Sequence, residues 1–244
     1  MRLAHVPGCQ GDKTLKATSD TPLPSLLVSY VYNQQFVEKR SEYQISEWVM
    51  DSGAFTAYNS GIEICVDKYI EECHRLKKED PTLVEIFALD VIGDWKASMK
   101  NTEKMWEAGV EAVPCYHEGE PEQVLLDLAK RFPKIALGGV ANTRGPKKDQ
   151  WAAQCFARVW PKRIHGFGFG SKRSILGLPW HTTDATNWEL GPCKFGSWAS
   201  YGRANLGIRG SNHPLQVEID YYMNIQRDAQ SRWRREMELV ESLP

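Results

Sequence analysis

Short apolar runs alternate with longer amphipathic stretches along most of the chain. The apolar runs predict strands at 26–32, 48–51, 84–90, 112–117, 135–139 and 164–170, a weak one at 181–184, and one at 195–201. Between them the apolar positions recur every three to four residues, which predicts helices at 66–78, 95–108, 121–131, 148–160 and 216–239. Local signals agree: Asp80-Pro81 and Gly109 end helices, and Pro121 suits a first helical turn. Strands alternating with helices imply a parallel sheet. Eight candidate strands without an internal boundary favour a single-domain α/β protein of the (β/α)8 TIM-barrel type over the runner-up, an open doubly wound sheet. Residues 1–25, with Pro7-Gly8, Gly11, Pro22 and Pro24, read as an irregular lead-in, and 26–244 as the barrel. Helical spacing is poor from Ser174 to Gly202, so the last two repeats look degenerate.

Composition narrows the function classes. The 244 residues are 42% hydrophobic and 25% charged with a net charge of -1, so no overall basic field advertises nucleic acid, although a local basic rim remains open. No apolar run is long enough for a membrane span, and the N-terminus lacks the core of a signal peptide, which points to a cytoplasmic location without membrane partners. The six cysteines have no Cys-x-x-Cys pair and read as reduced, mostly buried thiols, so neither a metal nor a cofactor is expected. A dispersed zinc site, for example Cys155, Cys193 and His213, stays open as the alternative. Nine tryptophans suit a base-stacking surface, but core anchoring is the expectation for most of them.

Candidate chemistry lies where apolar runs end, because catalytic groups of a parallel barrel sit at the C-terminal ends of strands. The runs end in Asp51-Ser52-Gly53-Ala54-Phe55, in Asp90, in Tyr116-His117-Glu118, in Gly138-Gly139, in Gly168-Phe169-Gly170-Ser171 and in Thr182-Thr183-Asp184. Each has a plainer alternative. Asp90 and Asp184 could cap the helices that follow, although Asp94 is nearer the helix beginning at Trp95. Asp51 is set apart from its predicted helix by a glycine-containing loop of more than ten residues. Gly138-Gly139 admits a ligand close to backbone N–H groups, or forms a tight turn. His117 is a base, a substrate donor or a structural histidine, while Glu118 and Glu120 are expected to face solvent or the rim. Gly166, Gly168 and Gly170 alternate along a strand and open no helix, so they are not a dinucleotide fingerprint.

Two of these segments resemble a known family. Asp51-Ser52-Gly53-Ala54-Phe55 is similar to the Asp-Ser-Gly-Gly-Phe motif of the tRNA-guanine transglycosylases. Ala136-Leu137-Gly138-Gly139-Val140-Ala141 is similar to that family's Ala-Leu-Gly-Gly-Leu-Ala segment. The compact form, with Asp184-Ala185-Thr186-Asn187-Trp188, looks closest to the 7-deazaguanine DNA transglycosylases of bacteria and phages. The resemblance spans roughly 28–202 and implies a pentosyltransferase that exchanges guanine for a 7-deazaguanine base in DNA, or else in tRNA, without a cofactor. It implies Asp184, near the end of the seventh strand, as nucleophile and Asp51 as acid–base. Asp90, Gly138, Gly139, Phe55, Ser52, His117 and Tyr116 would bind the base. Lys172, Arg173, Arg203 and Arg144, with Lys147, Lys148 and Arg209, follow strand-end motifs in sequence and are the candidates for a phosphate rim, the plainer alternative for each being a solvated surface charge. An accessory protein or a homodimer would be the further partner, in a bacterial host or from a phage. The family's Cys-x-Cys-x-x-Cys zinc motif has no counterpart here, where only Cys193 falls in that region, and Tyr116 and His117 stand where the family has a glutamine. A tRNA enzyme with a reduced accessory region, a non-catalytic purine- or nucleic-acid-binding barrel, and an unrelated metal–carboxylate hydrolase are the competing readings.

Overall fold

The computed structural model describes residues 1–5, 22–143, 145–202, 204–205 and 215–242. Eight strands form one sheet: β1 (Arg2–His5), β2 (Leu23–Ser29), β3 (Ile45–Asp51), β4 (Leu83–Ile86), β5 (Cys115–His117), β6 (Lys134–Gly138), β7 (Arg163–Gly166) and β8 (Thr182–Ala185). All neighbours are parallel, and β1 pairs with both β2 and β8. The remaining gap is bridged just beyond β4, where Ala88 N–H donates to Val113 O at 2.9 Å and Val113 N–H to Ile86 O at 2.8 Å. The sheet therefore closes on itself with consecutive strands adjacent, as a (β/α)8 barrel.

Two expected elements are corrected. The lead-in of residues 1–25 contains β1 and the start of β2. Arg2-Leu3-Ala4-His5 is too short and mixed to show a period of two; it becomes a strand because β8 pairs with it from Arg2↔Thr182 to His5↔Ala185. The strand expected at 195–201 is not in the barrel. Only Ser197–Trp198 is extended, antiparallel to Ala204–Asn205 (β9 and β10). The next residues turn away because the buried Glu218 carboxylate accepts from Ala199 N–H at 3.1 Å and Ser200 N–H at 2.8 Å. Asp184 thus lies on the eighth strand, not the seventh.

The helices are α1 (Asn33–Glu38), α2 (Ala54–Ser60), α3 (Val66–Glu79), α4 (Trp95–Glu107), α5 (Glu122–Arg131), α6 (Pro146–Val159), α7 (Lys172–Gly177), α8 (Asn187–Leu190), α9 (Gln216–Arg232) and α10 (Arg234–Glu241). The four expected central helices are present within two residues of their predicted ends, each with an apolar face on the barrel; α3, for example, buries Tyr69, Ile70, Cys73 and Leu76. The expected terminal helix breaks at Trp233. The short helices α1, α2, α7 and α8 were not legible, since one or two turns carry too little periodicity. Trp48, Trp180, Trp188 and Trp198 are fully buried, in keeping with the core-anchor expectation.

Alternation along the strands stacks the barrel interior in layers. A middle apolar layer holds Leu27, Val49, Phe87, Val113 and Ala136. On the same inward faces, Glu85 and Lys134 lie one step toward the N-terminal ends and meet Thr182 of β8, while Asp51, His117 and Asp184 lie on the C-terminal side of that layer. The seat of β8 is tight: a Cβ on Gly170 would lie 2.6 Å from Asp184 O and 2.8 Å from Ala185 Cα. Because backbone cannot yield there, Gly170→Ala is expected to cost about 2–3 kcal/mol in urea unfolding. Gly177→Ala, with open space around it, should be nearly neutral.

Candidate active site

A cavity of about 930 Å³ opens at the C-terminal ends of the strands, walled in part by Asp51, Asp90, His117, Gly138, Gly139 and Lys148. Asp51 is the last residue of β3 and accepts a hydrogen bond from Gly53 N–H at 3.0 Å. Gly53 adopts a φ of 75°, and a Cβ there would lie 2.4 Å from Ser29 Oγ, so this turn requires glycine. Helix α2 begins at Ala54 immediately afterwards, so the long loop expected after Asp51 is absent. Ser52 is buried on the cavity wall, its Oγ facing Ala54 N–H at 3.4 Å. Phe55 stands at the rim, 56% exposed. Burial pushes the Asp51 carboxyl up to about 7 against the pull of the Gly53 N–H, and the charges of Asp90 and Asp184 add to the rise.

Asp90 is free of capping duty, because Asp94 accepts from Lys96 N–H and Ala97 N–H, both at 3.0 Å, and caps α4. Instead Asp90 Oδ2 lies 3.3 Å from His117 Nε2. On its other side His117 Nδ1 is 3.1 Å from Glu120 Oε1, while Glu120 Oε2 accepts from His117 N–H at 3.1 Å. Glu120 therefore faces inward to the histidine, not to solvent as its sequence position suggested. Burial raises the Asp90 carboxyl, and the hydrogen bond to His117 opposes it. Cys115 raises His117, burial opposes, and the hydrogen bonds to Asp90 and Glu120 raise it further, so the two flanking carboxylates favour the protonated ring.

Tyr116 is corrected. Cys115 and His117 point into the barrel, so the residue between them must point out. Tyr116 is buried with its ring stacked on Trp151 at 5.9 Å, and its hydroxyl donates to Glu120 O at 2.9 Å, away from the cavity. Gly138 and Gly139 do line it. A Cβ on Gly138 would lie 2.8 Å from Cys115 Sγ, and Gly139, at a φ of 75°, would meet His117 Cβ at 2.9 Å. The glycine pair is what lets the ends of β5 and β6 approach, and it leaves bare backbone on the cavity wall.

Asp184 is not one of the residues that wall the cavity; its side chain, 12% exposed, is hydrogen-bonded to Gly168, which is. Gly168 N–H donates to its Oδ1 at 2.8 Å, and the cap position of α8 belongs to Thr186. Burial lifts the Asp184 carboxyl to about 6, opposed by the Gly168 N–H, by its own N–H and by Lys148. Lys148 lies 5.2 Å over the Phe169 ring and donates to Gly168 O. Lys172 and Arg173 are exposed at the start of α7 and do not wall the cavity; Arg173 pairs with Asp149 at 2.5 Å. Arg144, Arg203, Arg209 and His213 lie outside the described residues.

The sequence reading missed Glu120, Cys115 and Gly168. Cys115 was available from strand alternation with His117, whereas the Gly168–Asp184 bond joins the turn after β7 to β8 and carries no local signal. Asp90, Cys115 and His117 offer an oxygen, a sulfur and a nitrogen within 4.8 Å of one another, a donor set compatible with Zn²⁺. Burial pushes the Cys115 thiol up to about 11. Cys155 packs into the α5–α6 side of the core.

The site belongs to the class of barrels whose mouth is lined by strand-end carboxylates. No protein-family model and no curated protein matches the chain. Among solved structures, it is similar to the tryptophan synthase A-subunit of Pyrococcus furiosus, with 10% identity over 91% of this chain and 97% of that one and a TM-score of 0.52. It is also similar to the carboxyl transferase domain of Rhizobium etli pyruvate carboxylase, with 12% identity, 95% and 48% coverage and a TM-score of 0.50. These likenesses establish the TIM-barrel fold and nothing finer. Among the described residues no helix is long and apolar enough to cross a membrane.

Proposed function

We propose that this barrel is a nucleic-acid guanine transglycosylase that exchanges guanine for a 7-deazaguanine base, in DNA in preference to tRNA. The observation carrying the reading is convergence. Asp51 and Asp90 wall one cavity with Gly138 and Gly139, and Asp184, held by Gly168 of that wall, is near enough for its charge to act on Asp51, so carboxylates from three separate strand ends support the reading. The volume of about 930 Å³ suits an extruded nucleotide and a free base.

In this reading Oδ1 of Asp184 is held by Gly168, and Oδ2 attacks C1′ of the target nucleotide. The C1′–Oδ2 bond forms as the C1′–N9 bond breaks, and Asp51 supplies the proton that leaves with guanine. The incoming base then gives its N9 proton to Asp51, attacks C1′ and releases Asp184, so two inversions give net retention. A carboxyl held near 7 is suited to both proton transfers, and one near 6 is ionised when it must attack. Asp90, buttressed by His117 and Glu120, accepts from the base's ring N–H and amine. Gly139 N–H donates to its carbonyl, Phe55 stacks on it from the rim, and Lys148 meets the phosphates. The test is incorporation of labelled guanine into duplex DNA, single-stranded DNA and tRNA side by side. Label in DNA is expected, label in tRNA alone would move the substrate, and label in none would remove the reading.

The Asp90, Cys115 and His117 donor set favours one other reading, a metal-assisted hydrolase. Activity lost on chelation and restored by Zn²⁺ would select it.

A further inference from the structure

Beneath Asp184 the barrel interior contains a row of buried polar groups that the proposed chemistry does not use. Lys134 is buried on β6, its side chain 7% exposed, and Glu85 reaches it from β4. The Lys134 ammonium donates to Glu85 Oε1 at 2.7 Å, to Glu85 Oε2 at 2.8 Å and to Thr182 Oγ1 at 2.8 Å. Thr182 Oγ1 is in turn 2.8 Å from His165 Nδ1. His165 is 1% exposed, and its ring clusters with those of Phe87 at 4.6 Å and Phe167 at 4.4 Å. Its far nitrogen, Nε2, lies 3.9 Å from Asp184 Oδ1.

Donor and acceptor bookkeeping gives this row a direction. An ammonium can only donate, so Thr182 Oγ1 accepts from Lys134. The threonine hydroxyl hydrogen then needs an acceptor, and among the contacts of Thr182 that acceptor is His165 Nδ1. Nδ1 must therefore be the unprotonated nitrogen, which puts the proton on Nε2, on the side of Asp184. The opposite tautomer would strand the hydroxyl hydrogen in a buried layer and set a nitrogen lone pair against a carboxylate oxygen, and both are costly. At 3.9 Å the Nε2–H is too far for a hydrogen bond and acts as an oriented dipole on the carboxylate.

We propose that the Glu85–Lys134 pair, acting through Thr182, fixes His165 as its Nε2–H tautomer and so holds the Asp184 carboxylate in its ionised form and orientation. Lys134, Thr182 and His165 are then positioning residues; none touches the reacting atoms. Their catalytic consequence rests on the reading of Asp184 as nucleophile, but the tautomer and its effect on the carboxylate do not.

The experiment uses the full chain labelled with ¹⁵N-histidine and ¹³C-aspartate. In the unmodified protein the His165 resonances should show a protonated Nε2 and a bare Nδ1; a protonated Nδ1 overturns the proposal without any variant having to fold. Thr182→Val, which keeps the shape and removes the hydroxyl, should populate the other tautomer and raise the Asp184 titration midpoint by about 0.5 pH unit or more. Thr182→Ser should restore both. An Asp184 midpoint unmoved in Thr182→Val overturns the coupling. In base exchange, Thr182→Val should lower kcat about tenfold with KM little changed, as loss of a tautomer-setting partner does. If the unmodified protein exchanges no base, the proposed function fails while the two spectroscopic readouts still decide this inference.

Discussion

Replacing Asp184 with alanine is expected to abolish base exchange, by at least about 10⁴-fold, together with any denaturation-resistant protein–nucleic acid adduct. The size follows from the role: a covalent route cannot proceed at a reduced rate when the attacking atom is gone. Asp184→Asn is the sharper variant. Its amide oxygen can still accept from Gly168 N–H, so the 2.8 Å contact between β8 and the turn after β7 survives while nucleophilicity is lost. Both variants should fold, because the carboxyl is held up near 6 by burial, and removing it relieves the barrel of a buried charge. Exchange retained in either variant, measured with labelled guanine, would take Asp184 out of the mechanism.

Asp51→Asn is expected to separate activity from stability. Asparagine cannot give or take the proton, so adduct formation should fall about 10²- to 10⁴-fold. The pH profile should change with it. With Asp184 ionising near 6 and Asp51 near 7, adduct formation in the unmodified protein rises through the first value and falls through the second. In Asp51→Asn the alkaline fall should vanish.

Stability should move the other way. The folded state raises the Asp51 pKa from 3.8 to about 7, so folding binds the proton more tightly than the unfolded chain does. The carboxyl's contribution is favourable below pH 3.8 and is lost as pH rises through 7. Asp51→Asn should accordingly match the unmodified protein at pH 3.5 and exceed it at pH 8 by about 2–4 kcal/mol, a thermal midpoint higher by roughly 5 °C or more. An unchanged midpoint at pH 8 would show that Asp51 is not a strained, buried carboxyl.

Much of this was readable without coordinates, for identifiable reasons. The four central helices have enough turns for an apolar stripe to declare itself, and Trp48-Val49-Met50 of β3 and Ile135-Ala136-Leu137 of β6 are continuous apolar runs, as parallel strands buried on both faces require. Asp51, Asp90, Gly138 and Gly139 were found because a polar or glycine residue ending such a run marks the barrel mouth. Where the period was short, the reading failed. β1 has four residues, α2 has seven, and the tail of the chain borrows its turn from Glu218, a side chain from another element. Tyr116 takes the outward face that alternation with His117 dictates, whereas Glu120 carries no such signal because a turn brings it back onto His117.

The sequence by itself determined the fold class and the elements that present candidate chemistry, because burial on both faces of a strand and one face of a helix is written in the order of apolar residues. Only the tertiary structure decided which of those residues meet. The approach of Gly168 to Asp184, of His117 to Asp90, and of Lys134 to Glu85 and Thr182 all cross between strands. The state of each carboxyl is a tertiary property for the same reason: desolvation and neighbouring charge act through space, and no order of residues along the chain specifies them.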